Sequence, residues 1–332
     1  MVLSNSQWWA SSGGDAGYVP EGAVWINGTD EYFSDTPPSP SSVRIGSLSF
    51  WTKPAVDSSS GSDEQVIMQQ DWTASGNEAI QVTLQYDYLI FRLETNAGAY
   101  LINRATSALY RDPSAWYHFH ITWNTNLTGD ACVTITVNGQ QVTAFSASTN
   151  PSSAADSGFP NTGKTLTIGK HSVTTAFEYY NGYLCEFIFQ DGITSSPSDF
   201  GEENSDGVWI PKDTDGISFG NAGFHLDFAD SSDLGKDVSG NGLDFAANNM
   251  GTDNFTNDRP ADSGEDIGNY ATMNPLDYTG GNYQFSDGNL KVYQSTASNS
   301  LQARSTLAVP PGAKIVAWST MTTGANAYVG IC

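Results

Sequence analysis

Short segments in which apolar and polar residues alternate are the feature that most constrains what this chain can fold into. In residues 116–123, aromatic and aliphatic side chains occupy every second position, with His118 and His120 between them. Successive side chains of an extended strand point to opposite faces, so this pattern predicts a β-strand with one apolar face. We expect loops or solvent to cover the polar face that carries the two histidines.

A second alternating segment ends in a turn signal. Val133, Ile135 and Val137 alternate with threonines, and Asn138-Gly139 follows directly. An Asn-Gly pair readily adopts the two positive φ angles of a type I′ turn, which matches the twist of the flanking strands. The segment therefore predicts a β-hairpin that turns at residues 138–139.

Similar short segments recur along the first two hundred residues, separated by Gly, Asn, Ser, Asp and Pro. The further predicted strands are 47–51, 65–70, 79–86, 89–94, 165–169 and 183–189. No segment before residue 200 has an apolar stripe with the 3.6-residue period of a helix, although a short helical turn is predicted at 197–200. Closely spaced strands with one mixed-polarity face predict an all-β protein, a jelly-roll sandwich of two antiparallel sheets.

The chain divides into four predicted regions. These are an N-terminal arm at 1–21, the sandwich at 22–200, an irregular acidic connector rich in Gly, Asp and Asn at 201–277, and a second, partial β module at 278–332. In the last region, strand-like pieces return at 290–293, 301–304, 315–318 and 328–331. Because this pattern runs to the final residue without a closing polar tail, we expect the chain to continue in a longer protein.

The charge of the chain disfavours several classes of partner. Asp and Glu number 36 against 13 Lys and Arg, giving a formal net charge of −23. Such a field repels both phosphate backbones and anionic membrane surfaces. No apolar run approaches the ~18 residues of a membrane span, and the N-terminus lacks the basic and apolar segments of a secretory signal. We expect no nucleic-acid binding and no membrane insertion.

The cysteines do not suggest a disulfide framework or a zinc site. The chain has 3 of them, an odd number, and no pair has the Cys-x-x-Cys spacing of a metal or redox motif. Cys132 and Cys185 lie in strand-like apolar segments. We expect both to be small buried side chains.

Glycoside hydrolysis is the first enzymatic hypothesis for an acidic, aromatic-rich sandwich. It requires two carboxylates about 5–9.5 Å apart, which sandwich glucanases often place on one strand as Glu-x-Asp-x-Glu or Glu-x-Asp-x-x-Glu. No glutamate here begins such a pattern, and Glu186 stands alone on its strand, with Asp191 in the next turn. His118 and His120 share a strand face but have no third metal ligand nearby. We expect a protein that is not an enzyme; a dyad assembled from different strands is the alternative.

Aromatic residues at predicted strand ends and loops are the candidates for glycan binding. Aromatic rings stack on the apolar faces of sugars, while neighbouring amides and carboxylates bond to the hydroxyl groups. The candidate residues are Trp72, Asn77, Tyr86, Tyr88, Tyr179 and Tyr180. The same aromatic side chains also suit a core or a subunit contact.

An aspartate-rich segment suggests calcium as a cofactor. Residues 227–244 crowd aspartates between glycines, and oxygen ligands on a turn-rich loop suit Ca²⁺. The candidate ligands are Asp227, Asp230, Asp233, Asp237 and Asn241. The segment does not match the EF-hand pattern, and the alternative is an acidic loop whose aspartates cap turns.

The order of several pieces resembles a known family. They are the segment at 27–33 (NGTDEYF), that at 47–51 (SLSFW), that at 116–123 (WYHFHITW), the Val-Asn-Gly-Gln turn, and that at 180–187 (YNGYLCEF). Together they resemble the laminin-G-like, concanavalin A-like jelly roll over residues 22–192. The flanks at 4–10, 223–235 and 269–277 resemble tail-fibre and virion-surface proteins of tailed bacteriophages, in which a SPRY-like β-sandwich follows this domain.

The resemblance implies a structural protein of a phage virion. It would be a tail fibre or adhesin that presents a lectin-like sandwich to bacterial surface glycans and contacts other virion proteins. Such proteins are synthesised in the host cytoplasm and are normally homo-oligomers, often trimers. The alternatives are a glycan depolymerase or glycosidase of the virion, and a purely structural decoration or adaptor protein.

Overall fold

A computed structural model describes the chain at residues 3–4, 17–56, 64–71, 78–95, 97–171, 178–261, 268–279, 283–286, 288–294 and 302–306. Within these ranges the regular structure is β-strand, apart from the short 3-10 helices Gly129–Cys132, Pro197–Asp199 and Thr252–Asn254. The first strands are β1 (Leu3–Ser4), β2 (Ala23–Asn27), β3 (Tyr32–Asp35), β4 (Ile45–Pro54), β5 (Gln65–Asp71), β6 (Glu78–Gln85), β7 (Tyr88–Glu94), β8 (Tyr100–Leu109), β9 (Tyr117–Asn124), β10 (Val133–Val137), β11 (Gln140–Gln141) and β12 (Phe145–Thr149). The others are β13 (Leu166–Ile168), β14 (Asn181–Asp191), β15 (Gly201–Glu203), β16 (Trp209–Pro211), β17 (Phe224–Leu226), β18 (Ala246–Asn248), β19 (Phe255–Thr256), β20 (Tyr270–Ala271), β21 (Met273–Thr279), β22 (Tyr283–Ser286), β23 (Lys291–Gln294) and β24 (Gln302–Ser305).

Two large antiparallel sheets form the body of the molecule. The first sheet has the order β11-β10-β9-β4-β14-β2-β19, with β17 also paired to β14. The second sheet has the order β12-β8-β7-β6-β5-β13-β3-β18. The all-β sandwich predicted from the alternating segments is confirmed, and it is accompanied by small two-stranded sheets.

Aromatic side chains from the inner faces of the two sheets fill the space between them. Phe50 of β4 stacks on Phe187 of β14 with the ring centroids 5.2 Å apart. Trp123 of β9 lies parallel to Phe189 at 6.0 Å, and against Phe91 of the second sheet at 5.4 Å. These are the alternate positions that the sequence marks as apolar, so burial of one strand face explains the period-two pattern.

The outer face of the first sheet is also covered. His118 and His120 are almost completely buried there, beneath residues 195–211. A second apolar cluster on this face includes Trp51, Trp116 and Cys185. Loops rather than solvent therefore cover the polar face of β9, and these were the two coverings expected from the sequence. Cys132 and Cys185 are buried, as predicted, and both are free thiols.

The predicted hairpin joins β10 to β11. Asn138 and Gly139 have φ angles of 48° and 74°, which confirms a turn with two left-handed residues. The predicted helical turn near residue 197 is the 3-10 helix Pro197–Asp199, which Ser196 caps.

Substitution Gly139→Ala tests the tightness of this turn. An added Cβ atom would meet the Trp209 ring at 2.5 Å and would also force a left-handed φ angle on alanine. We expect the free energy of unfolding to fall by about 1–3 kcal/mol in a denaturant titration. Gly163→Ala is the matched control, because Gly163 also has a positive φ (+80°) but an added Cβ would have open space. Equal losses in the two variants would show that the contact with Trp209 contributes nothing.

The segment 201–277 is more regular than the sequence predicts. β17 pairs with β14, β18 with β3, and β19 with β2, so this segment extends both sheets. Phe224, Leu226 and Phe245 are buried in the main core. Each of these three strands has only two or three residues and lies between Asp- and Gly-rich turns. An alternating apolar pattern of this length cannot be recognised in the sequence.

The later strands form separate small sheets. β21 pairs with β24, and β22 pairs with β23. The predicted strands at 290–293 and 301–304 correspond to β23 and β24, whereas those at 315–318 and 328–331 lie outside the described residues. The division at residue 278 stays a prediction. In the part of the chain that the structure describes, no helix is long and apolar enough to span a membrane.

Candidate functional site

A transverse row of polar side chains crosses the second sheet on the face opposite the core. Its members, each the register partner of the next, are Ser34, Thr167, Gln69, Gln81, Arg92 and Asn103. The residues that precede or follow them along their strands, such as Phe33, Val82 and Phe91, belong to the core. We call this set the polar row. It places six hydrogen-bonding side chains on six neighbouring strands.

Hydrogen bonds fix the centre of the polar row. Arg92 Nη1 donates to Gln81 Oε1 at 2.6 Å, and Gln81 Nε2 donates to Gln69 Oε1 at 3.4 Å. The Gln69 amide also donates to Asp71 Oδ1 at 2.9 Å and lies 3.0 Å from His171 Nε2. Because Gln69 and Gln81 are buried and hydrogen-bonded, the centre of the row is held in place.

Three polar atoms near the Asn103 end of the row make no hydrogen bond within the described part of the chain. Glu64 Oε1, Arg92 Nε and Asn103 Oδ1 are buried and have no hydrogen-bond partner among the described residues. Glu64 Oε1 lies 3.8 Å from Arg92 Nη1, and Arg92 faces Asn103 across the β7–β8 ladder. Leaving a buried polar atom unpaired costs about 1–3 kcal/mol. These three atoms therefore carry an uncompensated desolvation cost in the fold.

An exposed aromatic ring stands beside these atoms. Tyr100 of β8 is 45% exposed, and the Arg92 guanidinium lies 5.6 Å from its ring centroid. Burial raises the pKa of Glu64, and the nearby positive charge of Arg92 opposes that rise. We call Glu64, Arg92, Asn103 and Tyr100 the candidate site; it combines charged, amide and aromatic groups in one place.

Sequence reasoning missed all four residues of the candidate site. Arg92 is a polar position of β7, Asn103 lies in β8, Tyr100 begins β8, and Glu64 directly precedes β5, so no shared motif marks them in the sequence. What brings them together is the register of β5, β6, β7 and β8, and register depends on pairings between distant segments.

Three of the described tyrosines predicted to bind glycan lie at two separate places on the second sheet. Tyr86 is half exposed in the turn between β6 and β7, and Tyr88 begins β7. Tyr179 lies on the other side of β5 and β13, where Lys170 Nζ sits 4.4 Å from the Tyr32 ring and 5.5 Å from the Tyr179 ring. Trp72 and Asn77 lie outside the described residues. Of the described candidates, Tyr86 and Tyr88 therefore lie apart from Tyr179.

Tyr180 is a correction to the glycan-binding prediction. Its side chain is fully buried in the core, and its hydroxyl bonds to the Thr52 hydroxyl. Burial raises the pKa of this phenol above its ordinary value. A ring that is enclosed in the core cannot stack on a sugar. The preceding residue, Tyr179, is the partly exposed one of the pair.

Four of the five predicted calcium ligands use their side chains in hydrogen bonds within turns, and Asp233 takes part through its backbone N–H. Asp237 accepts hydrogen bonds from the backbone N–H groups of His225, Ser239 and Leu243. Asp230 accepts from Ser232, Asp227 accepts from the Ala229 N–H, the Asp233 N–H donates to the Asp230 carbonyl, and the Asn241 amide donates to the Gly220 and Gly223 carbonyls. Among the described residues, no three His, Cys, Asp or Glu side chains are placed to hold a metal ion. This geometry fits turn capping, the alternative stated above, and does not fit a calcium site.

Glu186 and Asp191 both serve the fold. Glu186 lies in a bulge of β14 with a φ of 48°, where it accepts a hydrogen bond from the Tyr18 hydroxyl at 3.0 Å and contacts His225 Nε2 at 2.7 Å. Asp191 is buried and accepts from the backbone N–H groups of Ser42 and Ala222. Neither carboxylate belongs to the polar row.

The two-sheet topology has a counterpart among known families. A family model of the laminin G type, described as the concanavalin A-like lectin/glucanases superfamily, matches residues 27–197. The chain belongs to this superfamily. Residues 27–197 include the six strands that carry the polar row, so this row is a feature of the concanavalin A-like domain.

Solved structures resemble this domain at low sequence identity. The receptor-binding domain of the mosaic botulinum neurotoxin serotype C/D matches at 15% identity and a TM-score of 0.32, covering 46% of this chain and 34% of that one. Domains LG4-5 of the mouse laminin alpha1 chain match at 15% and 0.34, covering 53% and 43%. The CBM40 domain of the Ruminococcus gnavus IT-sialidase, bound to alpha2,3 sialyllactose, matches at 9% and 0.35, covering 49% and 86%. Less than half of the neurotoxin and laminin chains is therefore spanned.

No curated protein matches this chain.

Proposed function

We propose that the concanavalin A-like domain binds carbohydrate through the candidate site and leaves the sugar unaltered. One observation carries this proposal: the hydrogen-bonded polar row reaches Arg92, whose guanidinium lies 5.6 Å from the centroid of the exposed Tyr100 ring. Sites for small polar ligands combine a few convergent hydrogen-bonding groups with an aromatic surface on a rigid scaffold. Here that scaffold is the hydrogen-bonded polar row.

The binding assay uses a panel of bacterial envelope polysaccharides with the chain in its native oligomeric state. We expect Arg92→Gln to weaken binding about 10- to 100-fold, the cost of losing a charge-assisted hydrogen bond. Arg44→Gln is the matched control, because Arg44 pairs with Asp156 at the surface, away from the candidate site. Tyr100→Ala supplies a second variant at an exposed position, and thermal melts verify folding. An absence of binding to every polysaccharide contradicts the proposal.

A hydrolase is the second candidate, and one observation favours it. Burial raises the pKa of Glu64, Arg92 opposes that rise, and the charge of a second carboxylate, Glu178, adds to it. Glycoside hydrolysis uses such a pair, with one member protonated. Formation of new reducing ends during incubation with a bound polysaccharide, lost in Glu64→Gln, would establish hydrolysis in place of simple binding.

The setting we propose is the surface of a phage virion, where the chain acts as a tail fibre or adhesin on bacterial glycans. Support comes from the flanking segments at 4–10, 223–235 and 269–277, which resemble virion-surface proteins. Single lectin sites are weak, and a homo-oligomer such as a trimer would raise avidity through effective concentration. A virion decoration or adaptor protein would bind none of the polysaccharides in the panel, and this result would distinguish it from an adhesin.

A further inference from the structure

We infer that Tyr32, Lys170 and Tyr179 form a second binding site on this domain, which takes an anionic sugar. We call these three residues the lysine–tyrosine cluster. Three strands, β13, β5 and β6, lie between Tyr32 in β3 and Arg92 in β7. Neighbouring strands are about 4.8 Å apart, so roughly 19 Å separates these two points of the sheet. The inference shares the proposed ligand class, carbohydrate, but does not depend on the candidate site.

Backbone pairing brings the three side chains of the cluster together. Lys170 and Tyr179 face each other across an antiparallel bridge. Tyr32 directly precedes Phe33, a residue of the core, so its side chain points to the opposite face of the second sheet. The Lys170 ammonium group lies 4.4 Å from the centroid of the Tyr32 ring and 5.5 Å from that of the Tyr179 ring. The two ring centroids are 6.4 Å apart.

The polar tips of the cluster are open to solvent and unpaired. Tyr32, Lys170 and Tyr179 are all partly exposed. Among the described residues, neither the ammonium group nor the two phenol hydroxyl groups have a hydrogen-bond partner, and none of these three tips is buried. In contrast, Arg44 and Arg104 each pair with a carboxylate. A ligand that approaches from solvent can therefore reach all three tips of the cluster.

The charge of the cluster favours an anion, and its rings favour a sugar. The ammonium group carries three N–H donors and a positive charge, so it forms its strongest hydrogen bonds with anionic oxygens. The partly exposed rings offer apolar surface to the C–H groups of a sugar, while the phenol hydroxyl groups bond to its hydroxyls. A cationic amino sugar is disfavoured, because Lys170 already lies over both rings.

The charge of the rest of the chain limits such binding to this cluster. The formal net charge is −23, which repels an anion from most of the surface. The nearby carboxylate of Glu178 lies 3.7 Å from His171 Nε2 and does not pair with Lys170. Binding therefore depends on the short-range attraction of Lys170, and we expect added salt to weaken it.

The test compares matched oligosaccharides. We would measure binding of a uronic-acid oligosaccharide, of its neutral carboxyl-reduced counterpart, and of a sulfated derivative of that neutral counterpart. We expect at least one anionic form to bind about 10- to 100-fold more tightly than the neutral form, the range of a charge-assisted hydrogen bond. The two anionic forms together show whether the site prefers a carboxylate or a sulfate.

Three variants assign this preference to the cluster, and thermal melts verify their folding. Lys170→Gln should remove the preference for the anionic form. Lys164→Gln is the matched control, since Lys164 lies just before β13, is also partly exposed and should leave the preference intact. Tyr179→Leu should weaken binding of the anionic form about 2- to 10-fold through loss of the aromatic surface.

The outcomes separate this inference from the proposed function. Equal binding of the neutral form and both anionic forms overturns the inference and leaves carbohydrate binding at the candidate site intact. A preference that survives in Lys170→Gln, or that is lost equally in Lys164→Gln, overturns it in the same way. Binding of no oligosaccharide and no polysaccharide removes the proposed function as well.

Discussion

Asp258→Ala is expected to lower the free energy of unfolding by about 3–5 kcal/mol, because it leaves a buried lysine without its counter-ion. Lys53 of β4 is fully buried, and its ammonium group donates to Asp258, to Asn269 Oδ1 at 3.1 Å and to the Tyr270 carbonyl at 3.1 Å. Asp258 also accepts from Trp116 Nε1 at 3.1 Å. Burial lowers the pKa of Lys53 and raises that of Asp258, so each group depends on the other to stay ionised.

Two further variants make this prediction specific. Lys53→Met combined with Asp258→Leu should recover most of the lost stability, since an apolar pair of similar volume often replaces a buried ion pair without cost. The matched control is Lys236→Ala, which breaks the exposed pair between Lys236 and Asp244 at 2.8 Å and should change the denaturation midpoint little. Equal midpoint shifts for Asp258→Ala and Lys236→Ala would contradict the prediction.

Acidification is expected to destabilise the sandwich through the buried histidines of β9. Burial lowers the pKa of His120 to about 4 and that of His118 well below its ordinary value. Trp209 Nε1 donates to His118 Nδ1 at 2.9 Å. A proton on His118 Nδ1 would place two N–H donors opposite each other and break this hydrogen bond. His120 contacts the Ser195 hydroxyl and the Phe200 ring, and Asp199 is the charged group that opposes its shift.

The sign and the size follow from proton linkage. Both histidines bind a proton more weakly when folded than when unfolded, so their contribution to stability is complete above about pH 6.5 and is lost as the pH falls towards the folded pKa. For His120 the loss by pH 4 is about 3 kcal/mol, and His118 adds to it in the same direction. Partly buried carboxylates with raised pKa values, such as Asp35 and Asp227, act in the opposite sense.

Because of these opposing groups, the measurement compares variants. Denaturant titrations at pH 7 and pH 4 of the unmodified chain and of His120→Gln give the difference that belongs to His120. We expect this variant to lose about 3 kcal/mol less on acidification than the unmodified chain. Parallel pH profiles for the two chains would show that His120 does not resist protonation in the fold.

The candidate site illustrates a limit of reasoning from sequence. Gln69, Gln81 and Arg92 could each be recognised as the polar position of a strand, but not as neighbours. Tyr86 and Tyr180 look alike in the sequence, as tyrosines at strand ends, yet one is half exposed in a turn and the other is fully buried. Likewise, the aspartates of residues 227–244 cap turns because backbone N–H groups reach them, which composition does not reveal.

The sequence alone determined that this protein is a sandwich of antiparallel strands, because alternation is a local property that any single strand expresses. It also determined the β10–β11 turn, since Asn138-Gly139 specifies its own backbone angles. Only the tertiary structure decided which polar residues stand side by side. Register depends on pairings between segments as distant as residues 34 and 167, so no single stretch of sequence specifies it.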